Sequence, residues 1–236
     1  MLILAIDTSG DVCSLALAED GLVRSTFEFR HDRRLSERLP AGLQFLLRDL
    51  RVTLANVDLI AVGRGPGSFT GVRVGVTMAK TLAQVLSKPL VGVSSLDALA
   101  APFLLLAGAG VVAVTPARRG IVVAAVYAPP GSGSADITGS ATSLGEPSLL
   151  PVGEVVAYAR QHLSDVPVRP LLLCGEASTL AEFGLGAAAE DTVTQVATTP
   201  SAKVVARLAF HRLQTDNRAD DVKTLTPLYV APTPVG

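Results

Sequence analysis

"GRGPGSFTGVRVG", Gly63 to Gly75, joins a short apolar run to a long helical one. Strand, glycine-rich turn and helix in that order often hold a phosphate, because the start of a helix presents free backbone N–H groups. The stretch is not a P-loop, since "GPGSFTGVR" lacks the Gly-Lys-Ser/Thr ending. It is not a dinucleotide fingerprint either: the glycine spacing differs and no acidic residue stands at the required distance. Ser68 or Thr70 is placed to cap the helix. Two readings stay open, a weak anion site at the helix N-terminus or a sharp turn whose glycines permit close packing.

Working outward, the chain before the loop begins with three strands. Leu2–Ile6, Val12–Ala18 and Leu22–Phe29 are separated by the turn residues Asp7-Thr8-Ser9-Gly10-Asp11 and Glu19-Asp20-Gly21, which predicts an antiparallel meander. Leu35, Leu39, Leu43, Leu46, Leu47 and Leu50 then recur at helical spacing, giving a helix from about Ser36 to Leu50 with Ser36 as cap and Pro40 near its start. Leu59–Val62 is the strand that feeds the loop. The helix beyond runs from about Thr70 to Leu86, followed by a buried strand, Leu90–Val93. Ser94 is placed to cap a third helix, with Asp97 in capping-box position.

Gly108-Ala109-Gly110 marks a boundary, so residues 1–107 and 108–236 are expected as two lobes, each mixing strands and helices. In the second, Val111–Thr115 and Ile121–Tyr127 are strands joined by the turn "PARRG". A loop follows over Pro129–Ser143, then a helix near 153–163, a strand at 171–174, a helix after Ser178 and a strand near 193–196. The last helix, about 201–213, is free to pack back on the first lobe. The tail "TPLYVAPTPVG" is too rich in proline for regular structure, apart from an anchor at Leu228-Tyr229.

Composition narrows the function classes. The 236 residues carry 20 basic and 21 acidic side chains, so no general attraction to nucleic acid or anionic membrane exists. No apolar run reaches the ~18 residues a membrane helix needs. The start "MLILAIDTSG" lacks a basic n-region and reads as a strand rather than a signal peptide. Cys13 and Cys174 are expected as reduced, buried thiols, and the chain as cytoplasmic.

Catalytic groupings are scarce. Asp7, Thr8 and Ser9 in "AIDTSGDVCSLAL" fit a phosphate-facing hairpin in which Asp7 positions a metal or water; they fit an ordinary turn equally well. His31, His162 and His211 stand apart, with no metal-ligand spacing, and Ser68 is not in a Gly-x-Ser-x-Gly elbow. Arg118 and Arg119 sit in a turn, placed either to touch a phosphate or, as exposed turn arginines commonly are, only to be solvated. No acid, base and nucleophile assemble, so neither a catalytic residue nor a bound metal is predicted. Gly71, Gly75, Ala79 and Ala83 instead form a smooth ridge on the helix after the loop, bordered by Val72 and Val76. Such a ridge fits close approach of another helix, either the chain's own sheet or a partner.

These strings carry a resemblance. The order of "ILAIDTS", "SLAL", "LSERLPAGLQFLL", "DLIAVGRGPGSFTGVRVGVTMAKTLA" and "LVGVSSLDALA" resembles the TsaB (YeaZ) family over residues 1 to about 105, with "PARRGIVVAAVY" and "PLY" beyond. The resemblance implies a two-lobed actin-like ATPase/sugar-kinase fold (ASKHA, RNase H-like), each lobe a mixed sheet with flanking helices. It implies a non-catalytic scaffold subunit required to place threonylcarbamoyl on adenosine 37 of ANN-decoding tRNAs. Such a subunit is a homodimer alone, and binds the larger catalytic paralogue TsaD together with the TsaE ATPase. It would meet tRNA only through that complex. No cofactor is bound autonomously; ATP or ADP at the boundary with the partner stays open, with Asp7, Thr8, Ser9, Ser68 and Thr70 as the residues placed to touch it. Leu39, Leu43, Leu46, Val72, Gly75, Val76 and Ala79 are the implied contacts with the partner. The chain departs from the family pattern at Leu35, at Thr115-Pro116 and at Val230-Ala231. The alternative reading is an autonomous ATP-binding phosphotransferase or ATPase of the same fold class; a peptidase reading finds neither nucleophile nor metal site.

Overall fold

A computed structural model describes residues 1–30, 34–106, 108–129, 143–166, 168, 170–184 and 193–230. His31, most of the glycine-rich stretch after Pro129, and Ala231 with the rest of the tail lie outside the described residues. The chain divides into two units, one formed by Met1–Ala98 with Pro200–Leu228 and the other by Leu99–Thr199 with the segment from Tyr229 on.

The first unit is a sheet of five strands in the order β3-β2-β1-β4-β5. β1 (Leu2–Asp7), β2 (Val12–Glu19) and β3 (Leu22–Arg30) form the antiparallel meander, and β4 (Leu59–Gly63) and β5 (Leu90–Val93) run parallel to β1. Alternation along the strands sorts their side chains onto two faces. Leu4, Ile6, Cys13, Leu15, Leu17, Ile60 and Val62 join one core cluster, with α1 (Leu35–Asp49) and α2 (Phe69–Leu86) over them. Most of the intervening positions are small, Ala5, Ser14, Ala16, Ala18 and Ala61, with Ile3 and Leu59 as the larger ones. They accept α6 (Ala202–Asp216), which packs on β1, β2 and β4 through Ala202, Val205, Ala206 and Ala209. Small residues facing small residues let a helix backbone approach a sheet closely.

Local expectations meet two corrections here. α1 begins at Leu35, and its N-cap is Arg34 with no side-chain cap, so Ser36 lies inside the first turn. Pro40 sits in the second turn; its missing N–H leaves the carbonyl of Ser36 without a helical partner, on a residue that is exposed. After β5, the Ser94 hydroxyl is buried and makes no hydrogen bond, so it does not cap α3 (Ser95–Ala100).

The stretch after α6 closes the free side of β5. Asp220 pairs with Leu90 in a single β-bridge. Its carboxylate accepts from Gly92 N (2.7 Å) and from both terminal nitrogens of Arg212 (2.8 and 3.1 Å). Lys80 Nζ donates to the carbonyls of Leu225 and Lys223, and Leu228 N donates to the carbonyl of Arg64 (2.7 Å). Leu225 drops into the core beside Gly92. These bonds satisfy groups that an open sheet edge would leave to solvent or to another chain.

The second unit repeats the plan with the order β10-β9-β6-β7-β8. β6 (Gly110–Arg118), β7 (Ile121–Tyr127) and β8 (Ser148–Pro151) form a meander, and β9 (Leu171–Gly175) and β10 (Val193–Ala197) run parallel to β6 or its neighbour. α4 (Val155–His162) and α5 (Ala177–Leu180) cover the core of Val112, Val114, Val122, Ala124, Leu171 and Leu173. The turn between β6 and β7 is shorter than "PARRG": Arg118 pairs with Ile121, leaving Arg119-Gly120 as the loop, with Gly120 at φ 72°. Pro116 is tolerated inside β6 because pairing with β9 ends at Ala113. β8 was not expected; four residues ending in proline carry no readable alternation.

Candidate functional site

β1 leaves the sheet at Asp7, beside the parallel strands β4 and β5, where ligand crevices of α/β folds form. The turn Asp7-Thr8-Ser9 is wholly buried. Asp7 Oδ1 accepts from the backbone N–H (2.9 Å) and hydroxyl (2.7 Å) of Ser9, and Oδ2 accepts from Ser95 Oγ at 3.3 Å. Ser95 Oγ in turn accepts from Gly65 N at 3.2 Å, tying the carboxylate to the glycine loop. Burial pushes the Asp7 carboxyl above its ordinary value, against the three hydrogen bonds that oppose the rise.

The glycines fit this turn position by position. A Cβ at Gly63 would fall on the Asp7 carboxylate, one at Gly67 on the carbonyl of Ser9, one at Gly71 on the carbonyl of Thr8, and one at Gly75 on Thr8 Oγ1. Thr8 Oγ1 donates to the carbonyl of Gly71 (2.7 Å), and Ser68 N donates to the carbonyl of Ser9 (2.7 Å). Ser68 caps α2 by accepting from Gly71 N at 3.2 Å. The loop and the start of α2 pack closely on the hairpin: Ser68 N and the Gly71 carbonyl bond to Ser9 and Thr8, and Gly71 N bonds to the Ser68 hydroxyl. Thr70 is exposed in that first turn, away from the buried carboxylate. The residues placed to touch a nucleotide therefore do not converge on one opening. Asp7, Thr8 and Ser9 are sealed, Ser68 is a cap, and Thr70 faces solvent.

The seven implied partner contacts are also placed inward. Leu39, Leu43, Leu46, Val72, Val76 and Ala79 pack in the core of the first unit, and Gly75 lies against Thr8. A partner reaching α1 and α2 as they stand meets other side chains. Phe45 (54%), Phe69 (56%) and Val85 (75%) are exposed, and Val74, Met78 and Leu82 are half-buried along one side of α2. Phe45 packs on Phe27 with ring centroids 5.7 Å apart and planes tilted by 46°, and borders a hollow of about 530 Å³ lined by Ala41, Gln44, Arg48 and Asp49. Arg73 lies 3.9 Å over the Phe69 ring and Arg38 4.3 Å over Phe29. In the sequence these outward residues are marked only as apolar side chains off the buried stripes. Ser95 carries no such mark, since only the fold brings it to Asp7.

Elsewhere the chemistry is structural. Cys13 and Cys174 are buried thiols, and burial pushes Cys174 up to about 12, out of the thiolate range. His162 Nδ1 contacts the Tyr158 carbonyl at 2.9 Å and its ring stacks on Tyr158. Arg118 and Arg119 are exposed. Among the described residues, no three of His, Cys, Asp and Glu cluster as metal ligands, and no helix is long and apolar enough to cross a membrane.

A family model described as TsaD, tRNA N6-adenosine threonylcarbamoyltransferase, matches residues 30–231. The chain is 43% identical to the tRNA threonylcarbamoyladenosine biosynthesis protein TsaB of Escherichia coli, over 42% of this chain and 43% of that protein. It is likewise 43% identical to the Bacillus subtilis TsaB, over 43% and 44%. This chain belongs to that family, on its TsaB/YeaZ branch. The matched stretch is thus less than half the length of each curated TsaB relative. Over the whole chain, YeaZ from Pseudomonas aeruginosa superposes with a TM-score of 0.76 at 28% identity, covering 97% of this chain and 99% of that one. The ethanolamine utilization protein EutJ from Carboxydothermus hydrogenoformans, at 12% identity and a TM-score of 0.51, shares the fold alone. Two mixed five-stranded sheets flanked by helices, with these neighbours, make the fold the two-lobed actin-like ATPase/sugar-kinase (ASKHA) type.

Proposed function

We propose that the chain is the non-catalytic scaffold subunit of a cytoplasmic assembly that makes threonylcarbamoyladenosine in tRNA. The TsaB relatives support the pathway. The observation that carries the scaffold reading is the sealed turn: Asp7 is 0% exposed and the hairpin is filled by α2. A carboxylate with no access to solvent holds neither a metal–phosphate nor an attacking water.

In this reading the outward sides of α1 and α2, with Phe45, Phe69, Val74, Met78, Leu82 and Val85, dock a larger TsaD-type catalytic subunit. A second copy of this chain takes the same place when that subunit is absent. The seven inward residues hold the two helices in position from behind. A TsaE-type ATPase joins the assembly, tRNA is met only through it, and ATP or ADP sits at the boundary with the catalytic subunit.

Two assays test this. The purified chain should turn over no ATP by itself. Modified tRNA should form only when the chain, the TsaD-type paralogue, the TsaE-type ATPase, a threonylcarbamoyl-adenylate source and tRNA are combined. Steady ATP hydrolysis by the isolated chain would instead support an autonomous phosphotransferase or ATPase of the same fold.

A further inference from the structure

We infer that Thr8 is a positioning residue: its buried hydroxyl, seated between Gly71 and Gly75, fixes the placement of α2 on the sheet and so of the docking face α2 carries. This rests on the docking reading above for its functional half, and on geometry alone for its structural half.

Thr8 is fully buried, and its Oγ1 donates to the carbonyl of Gly71 at 2.7 Å. That carbonyl is in the first turn of α2, so the bond joins the end of β1 to the helix start. The two glycines leave no room for the helix to sit differently, since a Cβ at either would overlap Thr8. The neighbouring bonds hold other parts of the loop: Ser9 O takes Ser68 N, and Asp7 with Ser95 takes Gly65 N. Within the β1 turn, Thr8 is the side chain that reaches past the cap into the first turn of the helix. Farther along, α2 rests on the sheet through Val72, Val76, Ala79 and Ala83, and Lys80 Nζ ties it to the carbonyls of Lys223 and Leu225. The Thr8 bond and the two glycine contacts fix the start of the helix, and with it the register of Val74, Met78 and Leu82 on the other side.

The test uses Thr8→Val, which keeps the shape and loses the hydroxyl, with Thr8→Ser as the rescue. Backbone amide exchange is followed in the isolated chain. Thr8→Val should speed exchange across Gly71–Val76 roughly tenfold, the scale of one lost buried hydrogen bond, with α6 unchanged and Thr8→Ser restoring protection. Unchanged exchange in α2, or an equal rise in α2 and α6, would overturn the inference. Association with the purified TsaD-type paralogue is measured alongside, with Phe45→Glu/Val74→Glu as the surface control. Weakened association in Thr8→Val, rescued by Thr8→Ser, supports the functional half. Loss of association in the surface control but not in Thr8→Val overturns that half and leaves docking standing. Normal association in the surface control overturns the docking reading, while the exchange result decides the structural half independently.

Discussion

The two units share one strand plan, yet their central strands end differently. In the first, β1 ends at Asp7 beside Gly63 of β4; in the second, β6 reaches Val114 beside Gly175 of β9. Both glycines exist for the same reason, because a Cβ there would strike the central strand: the Asp7 carboxylate in one case, the Val114 carbonyl at 2.7 Å in the other. Beyond that point the plans diverge. The first unit follows its glycine with a loop and an 18-residue helix folded onto the polar turn Asp7-Thr8-Ser9. The second follows with a 4-residue helix, and β6 runs on through Thr115-Pro116 to exposed Arg118. A single architecture thus holds one strand end closed over by a long helix and another that runs on past its glycine to an exposed arginine.

The contrast can be broken first at the glycines. Gly63→Ala drives a methyl into a buried carboxylate that its own bonds hold in place, and should cost about 3 kcal/mol or more. Gly175→Ala meets a carbonyl at 2.7 Å and the end of a valine side chain, and should cost about 1–3 kcal/mol. Urea unfolding of the two variants checks the ranking, and equal losses would erase the distinction between the strand ends.

Next comes the brace around Asp220 in the first unit. Asp220→Ala removes the carboxylate shared by Arg212 and Gly92, at a cost of about 1–2 kcal/mol. Asp220 is held below its ordinary value by Arg212 and the Gly92 N–H against the opposing effect of burial. Its contribution is therefore full above the ordinary carboxylate value and fades as pH falls through the lowered one. The variant should lose its deficit in acid, as measured by urea midpoints across pH.

Asp7 carries the opposite sign. Its carboxyl titrates above the ordinary value because of burial, so the folded state keeps a proton the unfolded chain has released. Stability falls as pH rises between the ordinary and the raised value, and stays at the lower level beyond. Asp7→Asn should flatten that slope, leaving the variant relatively more stable at neutral pH than in acid. The smallest effect is expected at Gly153, where a Cβ meets nothing within 4 Å: Gly153→Ala should change stability by no more than about 0.5 kcal/mol.

Local signals were strongest where period and punctuation agreed. The meander, the leucine stripe of α1 and the strand–loop–helix at Gly63–Gly75 were all legible, because alternation, helical spacing and turn residues are carried by neighbours in sequence. β8 was not, being four residues with no alternation. The ridge Gly71-Gly75-Ala79-Ala83 was visible as a ridge, but its direction was not. Whether small residues admit a partner or the chain's own β1 turn depends on Thr8, 63 residues from Gly71 in sequence. The surroundings of Asp7 were hidden for the same reason: Ser95, 88 residues away, and the glycine loop reach its carboxylate only in the fold.

The direction of that ridge is the central claim, and Gly75→Leu tests it most directly. An inward ridge predicts that the isolated chain loses stability outright, with a urea midpoint far below that of the unaltered chain, because the leucine must displace Thr8. A monomer as stable as the unaltered chain that fails only to assemble with the TsaD-type paralogue would place the ridge on the outside and contradict the account.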